Sequence, residues 1–172
     1  RTKQAYINYR YKNLFFRVPT FGMIVKIIDW NRATMTFKGT ELRNNVFDIE
    51  SNCGGMYYWP TERASRKPTN LPNPSFDLSL LAFELLRDDK TLQKSSKTYK
   101  LLLEWLTTEN GENIYNDMGK DEESPGFDVN INIAHFCHKA IPVNQFQKAI
   151  WNSFKVDKSR IPKGEKIYVV SD

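Results

Sequence analysis

Asp29 closes an apolar run, Met23-Ile24-Val25-Lys26-Ile27-Ile28, and the polar, turn-compatible Trp30-Asn31-Arg32-Ala33 follow at once. A short apolar run bounded by turn signals reads as a buried strand. A carboxylate at its carboxyl end stands where a strand can deliver it into a cleft. That placement suits a metal-phosphate ligand, because Mg²⁺ is usually held by one or two carboxylates plus substrate phosphates. From the local pattern alone the plainer reading, a strand that ends in an Asp turn, is preferred.

Other residue types could do chemistry. His135, Cys137 and His138 put two imidazoles and a thiol within four residues. Structural zinc takes four ligands, normally from two separated pairs. These are the only histidines and Cys53 stands alone, so packing is the preferred reading. Arg63-Ala64-Ser65-Arg66-Lys67 is a basic cluster that could meet phosphate, and a solvated loop is preferred. Tyr6, Tyr9, Tyr11, Phe15 and Phe16, interleaved with Arg10, Lys12 and Arg17, could form a base-stacking surface. Strands are rich in aromatics anyway, so packing is again preferred. Asp121-Glu122-Glu123 reads as an exposed acidic loop. No Gly-x-Ser-x-Gly, Walker lysine or dinucleotide fingerprint occurs.

The elements that position these residues follow from periodicity. Residues 5–18 alternate and turn at Lys12-Asn13, which predicts a β-hairpin. Pro19-Thr20-Phe21-Gly22 breaks it, and the buried strand Met23–Asp29 follows. Thr34–Gly39 predicts a short strand and turn. Residues 40–75 show no stable period and carry Pro60, Pro68, Pro72 and Pro74. Such a stretch inside a domain is usually functional or mobile. Ser75-Phe76-Asp77 can cap a helix in which Leu78, Leu80, Leu81, Phe83, Leu85 and Leu86 lie nearly all round. That helix should be central and buried, ending at Asp88-Asp89-Lys90. A second helix is expected over Lys97–Thr107, with Tyr99, Leu102, Leu103 and Leu106 on one face. Residues 108–126 read as a loop, and 130–140 as a helix. Pro142 opens a further helix to about Phe154, and Ile167–Val170 is a terminal strand. Strands come first and helices after, an α+β order rather than β-α-β alternation.

Composition bounds the classes. The 172 residues favour one domain over 1–172. It reads as a hairpin and Asp-bearing strand over 1–33, a loop-like region over 34–75 and a helical part over 76–172. Apolar residues make up 40% and aromatics 13%, enough for a core. The net charge of +5 is spread along the chain, which leaves a nucleotide, acidic or nucleic-acid partner open without demanding one. Two cysteines without paired spacing argue for a reducing compartment. No apolar run approaches the roughly 18 residues of a membrane span, and no signal-peptide core opens the chain. Residue 1 is Arg and leads straight into strand-like sequence, which reads as a piece of something longer.

Lys26-Ile27-Ile28-Asp29-Trp30-Asn31-Arg32-Ala33 resembles the strand end and metal-binding Asp-Phe-Gly of protein kinases. Phe76-Asp77-Leu78 with Leu85-Leu86, about 48 residues further on, resembles the start of the large central helix of the kinase carboxyl lobe. The tyrosine-rich hairpin running through Val18-Pro19-Thr20-Phe21-Gly22 to Ile27-Ile28-Asp29 looks like the divergent serine/threonine kinases of large DNA viruses. The pattern continues through Tyr57-Tyr58-Trp59-Pro60, Asn73-Pro74-Ser75-Phe76-Asp77-Leu78 and Ala140-Ile141-Pro142. Residues 18–33 and 73–86 are its most specific parts.

The resemblance implies an α+β, mainly helical kinase-like carboxyl lobe with an amino-terminal hairpin and strand. Asp29 would coordinate the Mg²⁺ that bridges the phosphates of ATP. Trp30 would stand for the Phe that packs behind it. Asn31 replaces the usual Gly, and Asn tolerates positive φ better than most residues. Residues 34–75 would be the activation segment and substrate platform, although no Ala-Pro-Glu occurs and Tyr58-Trp59-Pro60 with Glu62 is the nearest fragment. Asp77 would hold a catalytic loop through backbone amides. The implied partners are the remainder of the kinase or another subunit and a protein substrate, in the cytoplasm or a virion. The chain contains no Gly-rich loop, no strand Lys paired with a helix Glu and no His-Arg-Asp loop, so the catalytic base is not among its residues. The expectation is a kinase lobe that is inactive by itself. The contrasting expectation is a pseudokinase scaffold or a nucleic-acid-associated structural protein.

Overall fold

The computed structural model describes residues 5–23, 25, 33, 35–42, 58, 59, 69–115 and 126–170, and they form a mixed α+β structure. Its contacts group into two compact units, Arg1–Ile28 with Val143–Asp172 and Asp29–Pro142.

The first unit is built on the expected hairpin. β1 (Tyr6–Tyr11) and β2 (Leu14–Pro19) pair antiparallel, with Tyr11 opposite Leu14 across the two-residue turn. The positive φ that a tight hairpin turn needs falls on Lys12, at 53°. A second tight turn follows, in which the Met23 N–H donates to Thr20 O at 2.8 Å. Both central residues, Phe21 (φ 51°) and Gly22 (φ 79°), are left-handed, which defines a type I′ turn. β7 (Lys155–Val156) extends the sheet beyond β2, and β8 (Ile167–Val170) lies parallel to β1, giving the order β7-β2-β1-β8.

Alternation puts Tyr9, Tyr11 and Phe16 on one face of this sheet. The Tyr11 ring stacks on Phe146 at 4.7 Å and Phe16 meets the same ring at 5.8 Å, so Phe146 covers that face. On the other face the Asn8 amide donates to Glu165 Oε2 (2.8 Å) and Lys166 O (3.3 Å). Arg17 donates to Asn8 Oδ1 at 2.9 Å and forks onto both oxygens of Glu165. This knot satisfies a buried amide and pins the residues before β8 to the hairpin.

In the second unit, β3 (Met35–Phe37) and β4 (Thr40–Leu42) form a hairpin over Lys38-Gly39, again with two left-handed residues. β5 (Tyr58–Trp59) pairs with β6 (Thr69–Pro72). α1 (Phe76–Asp88) packs against both α2 (Lys97–Trp105) and α3 (Gly126–Phe136). Ala82, Phe83 and Leu86 of α1, Leu102 and Trp105 of α2, Leu106, and Val129 and Ile133 of α3 are buried. The Ser79 hydroxyl donates to Trp105 O at 2.7 Å, a buried tie between α1 and α2. Ser96 caps α2 by accepting from the Tyr99 N–H at 3.0 Å. Asp89 stops α1 by accepting from the Thr91 hydroxyl at 2.5 Å and from the Thr91 N–H at 2.9 Å, and these bonds, the hydroxyl's first, lower its pKa.

Several expectations are corrected. Of the run read as a buried strand, Met23 and Val25 are described; they are 71% and 95% exposed and belong to no strand. A continuous apolar run has no period with which to select a covered face. Residues 40–75 hold β4, β5 and β6 despite their lack of period, because strands this short show no measurable alternation. α1 is covered on one side, while Leu81 and Leu85 are exposed, because α2 and α3 reach the Ser79-Ala82-Phe83-Leu86 side. Of the face expected for α2, Leu102 and Leu106 are buried, and Leu101 and Trp105 complete the covered side in place of Tyr99 and Leu103. Ile114 and Thr108, within the expected loop, are buried, and Thr107 bridges to Asn113. α3 begins at Gly126 and ends at Phe136, four residues short of the expected end, where Asn73 takes up its last carbonyls. The helix expected from Pro142 to Phe154 breaks into α4 (Pro142–Gln145) and a 3₁₀ segment, Ala149–Phe154. Lys148, extended at ψ 141°, lies between them.

Candidate functional site

Of the residues with expected roles, Asp77 stands at the head of α1. Its approach, Asn73-Pro74-Ser75, cannot be helical at Asn73 because the residue before a proline is pushed out of the α region. Asn73 then does the capping. Its Oδ1 accepts from the Ser75 N–H at 2.9 Å, and its backbone oxygen accepts from Phe76 N–H at 3.1 Å. Ser75, the formal cap residue, is fully buried and makes no side-chain cap bond.

The same Asn73 amide reaches across to the end of α3. Its Nδ2 donates to Cys137 O at 2.8 Å and lies 3.2 Å from Ala134 O and 3.4 Å from Ile133 O. The final carbonyls of a helix have no intrahelical partner, so one buried side chain closes the start of α1 and the end of α3 together. Asp77 stands exposed in the first turn of α1. A carboxylate there is favoured by the positive end of the helix dipole. It is therefore an accessible anion on a helix start whose position is fixed by a buried amide.

The other expected site residues stand differently. Asp29, Trp30 and Asn31 lie outside the described residues, as do the Arg63–Lys67 cluster, Asp121–Glu123 and Cys53. Cys137 is fully buried, and desolvation pushes its thiol up to about 12. A protonated buried thiol is neither a nucleophile nor a ready metal ligand. His138 brings one ring nitrogen to 3.2 Å from Ala134 O and the other to 3.4 Å from Glu109 Oε1. The motif at 135–138 thus closes the end of α3 within the core. Among the described residues no group of three or more His, Cys, Asp or Glu side chains could hold a metal ion. No helix among the described residues is long and apolar enough to cross a membrane.

Sequence reasoning missed Asn73 and the Asn8–Arg17–Glu165 knot. Asn-Pro-Ser before a leucine-rich helix signals a helix start, but its partner carbonyls lie some sixty residues away. Arg17 and Glu165 are 148 residues apart and carry no local signal of pairing. No family model, curated protein or solved structure matches the chain.

Proposed function

We propose that the chain is the carboxyl lobe of a divergent serine/threonine protein kinase. In the complete enzyme it would help transfer the γ-phosphate of ATP to a Ser or Thr hydroxyl. The observation that carries the reading is Asp77: it is exposed in the first turn of a helix whose start is clamped by Asn73. A catalytic loop needs such a support, an anion that accepts backbone amides without itself moving. The resemblance of residues 73–86 to the kinase central helix falls on this same helix. The second resembling segment, 18–33, supplies Asp29 as the proposed metal ligand. Without a base or a nucleotide clamp, the lobe lacks the positioning and the electrostatic stabilisation that phosphoryl transfer needs.

The test has two arms. The 172-residue protein, given radiolabelled ATP and a generic basic protein, transfers no phosphate; turnover would refute the assignment of the base to a part outside this chain. In the second arm, melting is followed with Mg²⁺ and ATP. At ATP ~10-fold above its dissociation constant, mass action adds about 1.4 kcal/mol, roughly 3–6 °C for a chain of this size. The Mg²⁺-dependent part of that shift disappears in Asp29→Asn. A shift that is absent, or that survives the substitution, refutes the metal role.

A further inference from the structure

A sheet with one face packed on a core usually turns polar side chains to solvent on the other. The four-stranded sheet departs from this. Phe146 covers the face of Tyr11 and Phe16. Register puts Tyr6, Asn8 and Arg10 of β1, Phe15 and Arg17 of β2, and Val169 of β8 on the opposite face. There Tyr6 is 39% exposed and Val169 62% exposed. Arg10 is exposed and lies directly across from Phe15. The Arg17 guanidinium sits 4.4 Å from the Tyr6 ring centroid. Its charge is matched by Glu165. The face therefore alternates rings and cations, and Arg10 has no carboxylate across the ladder from it.

Charge is divided between the two units in the same sense. Residues 1–28 and 143–172 carry twelve Lys and Arg against three Asp and Glu, a formal balance of +9. Residues 29–142 carry thirteen against seventeen, a balance of −4. The mild +5 of the whole chain conceals a strongly basic sheet unit. Such a field attracts polyanions. An acidic protein would satisfy the charge but has no use for exposed rings, and a duplex keeps its bases stacked inside. A single strand presents phosphates and free base faces together, the combination that aromatic and basic sheet surfaces take up.

We propose that the exposed part of this sheet face, beside the Asn8–Arg17–Glu165 knot, binds single-stranded nucleic acid, with a base stacked on Tyr6 and a phosphate on Arg10. The inference is independent of the kinase reading. It is tested by fluorescence anisotropy with the 172-residue protein and labelled oligo(dT), from low to physiological salt. Affinity falls log-linearly with salt, and Arg10→Gln lowers the slope by about 0.7, the value for one phosphate of a single strand. Tyr6→Leu, which keeps an apolar side chain at an exposed position, weakens binding roughly 5- to 150-fold, the equivalent of one lost stacking contact. Tyr168→Leu, on the other face of the sheet, leaves affinity within about twofold. Circular dichroism confirms that each variant folds. Any of three results overturns the proposal: no binding at low salt, polyglutamate or blunt duplex bound as tightly as oligo(dT), or unchanged affinity in Tyr6→Leu.

Discussion

Removing the Asn73 side chain tests the clamp on which the Asp77 argument stands. Asn73 is 5% exposed and its amide satisfies groups at two helix ends. Asn73→Ala leaves the Ser75 N–H and the Cys137 carbonyl without a side-chain partner in a buried setting. Each unsatisfied group costs about 1–3 kcal/mol, so the loss from the two should be about 2–6 kcal/mol. For a chain of this size that is a fall in Tm of roughly 4–24 °C. Asn73→Asp is the sharper variant. One oxygen still accepts from Ser75, but the other now faces the Cys137 carbonyl, 2.8 Å from where the amide nitrogen stood. Burial and those carbonyls raise the pKa of the new carboxyl in the folded state above its unfolded value. Its stabilising contribution is then complete below the unfolded pKa and lost as pH rises through the folded one. The protonated acid can donate to Cys137 O, so the variant lies nearest wild type in acid and falls away toward neutral pH. Urea melts across pH measure both effects. A cost under about 0.5 kcal/mol for the alanine variant, within the range of an ordinary surface substitution, refutes the clamp. So does an Asn73→Asp deficit that does not shrink in acid.

Glu165 carries the opposite sign. Its hydrogen bonds from Arg17 and then Asn8 lower its pKa. Its stabilising contribution is therefore present above the unfolded carboxylate pKa and lost as pH falls through the lower folded one. Glu165→Gln should melt below wild type at neutral pH, and the gap should close in acid; a gap that widens in acid would overturn the knot. Cys137, with its thiol pushed up to about 12 and its side chain fully buried, should resist alkylation in the native protein at mildly alkaline pH. Peptide-resolved labelling in and out of denaturant checks this, and rapid native labelling at Cys137 would contradict the burial.

The legible parts of the fold carry their signal locally. The β1–β2 hairpin follows from alternation and a two-residue turn, and α1 from leucine spacing and a stop at Asp88-Asp89. Ile167–Val170 is readable as a strand, but its parallel partner β1 lies at the far end of the sequence, and nothing local names it. The stretch from Pro142 has helical spacing, yet Phe146 is drawn onto the Tyr11 and Phe16 rings and the chain extends at Lys148. Tertiary packing overrode propensity there. In the candidate site, Asp77 is legible because it sits at a helix start. The clamp that fixes it is not, because an asparagine before a proline does not reveal which carbonyls it will meet.

The two proposals make overlapping demands on one ligand, and this decides how a nucleotide experiment must be arranged. ATP carries a purine ring and a triphosphate, which is also what the basic, aromatic face around Tyr6 and Arg10 attracts. A melting shift with ATP alone is thus shared evidence. The metal separates the sources. Magnesium strengthens binding at a carboxylate that ligates it, because Asp29 has no attraction for bare phosphate. It weakens binding at Arg10, because it neutralises the phosphate charge that the arginine would meet. A magnesium-requiring shift lost in Asp29→Asn and kept in Tyr6→Leu belongs to the kinase site. A shift that magnesium and salt both diminish, lost in Tyr6→Leu and kept in Asp29→Asn, belongs to the sheet. The double comparison assigns either outcome, and a shift indifferent to both substitutions refutes both assignments of the nucleotide.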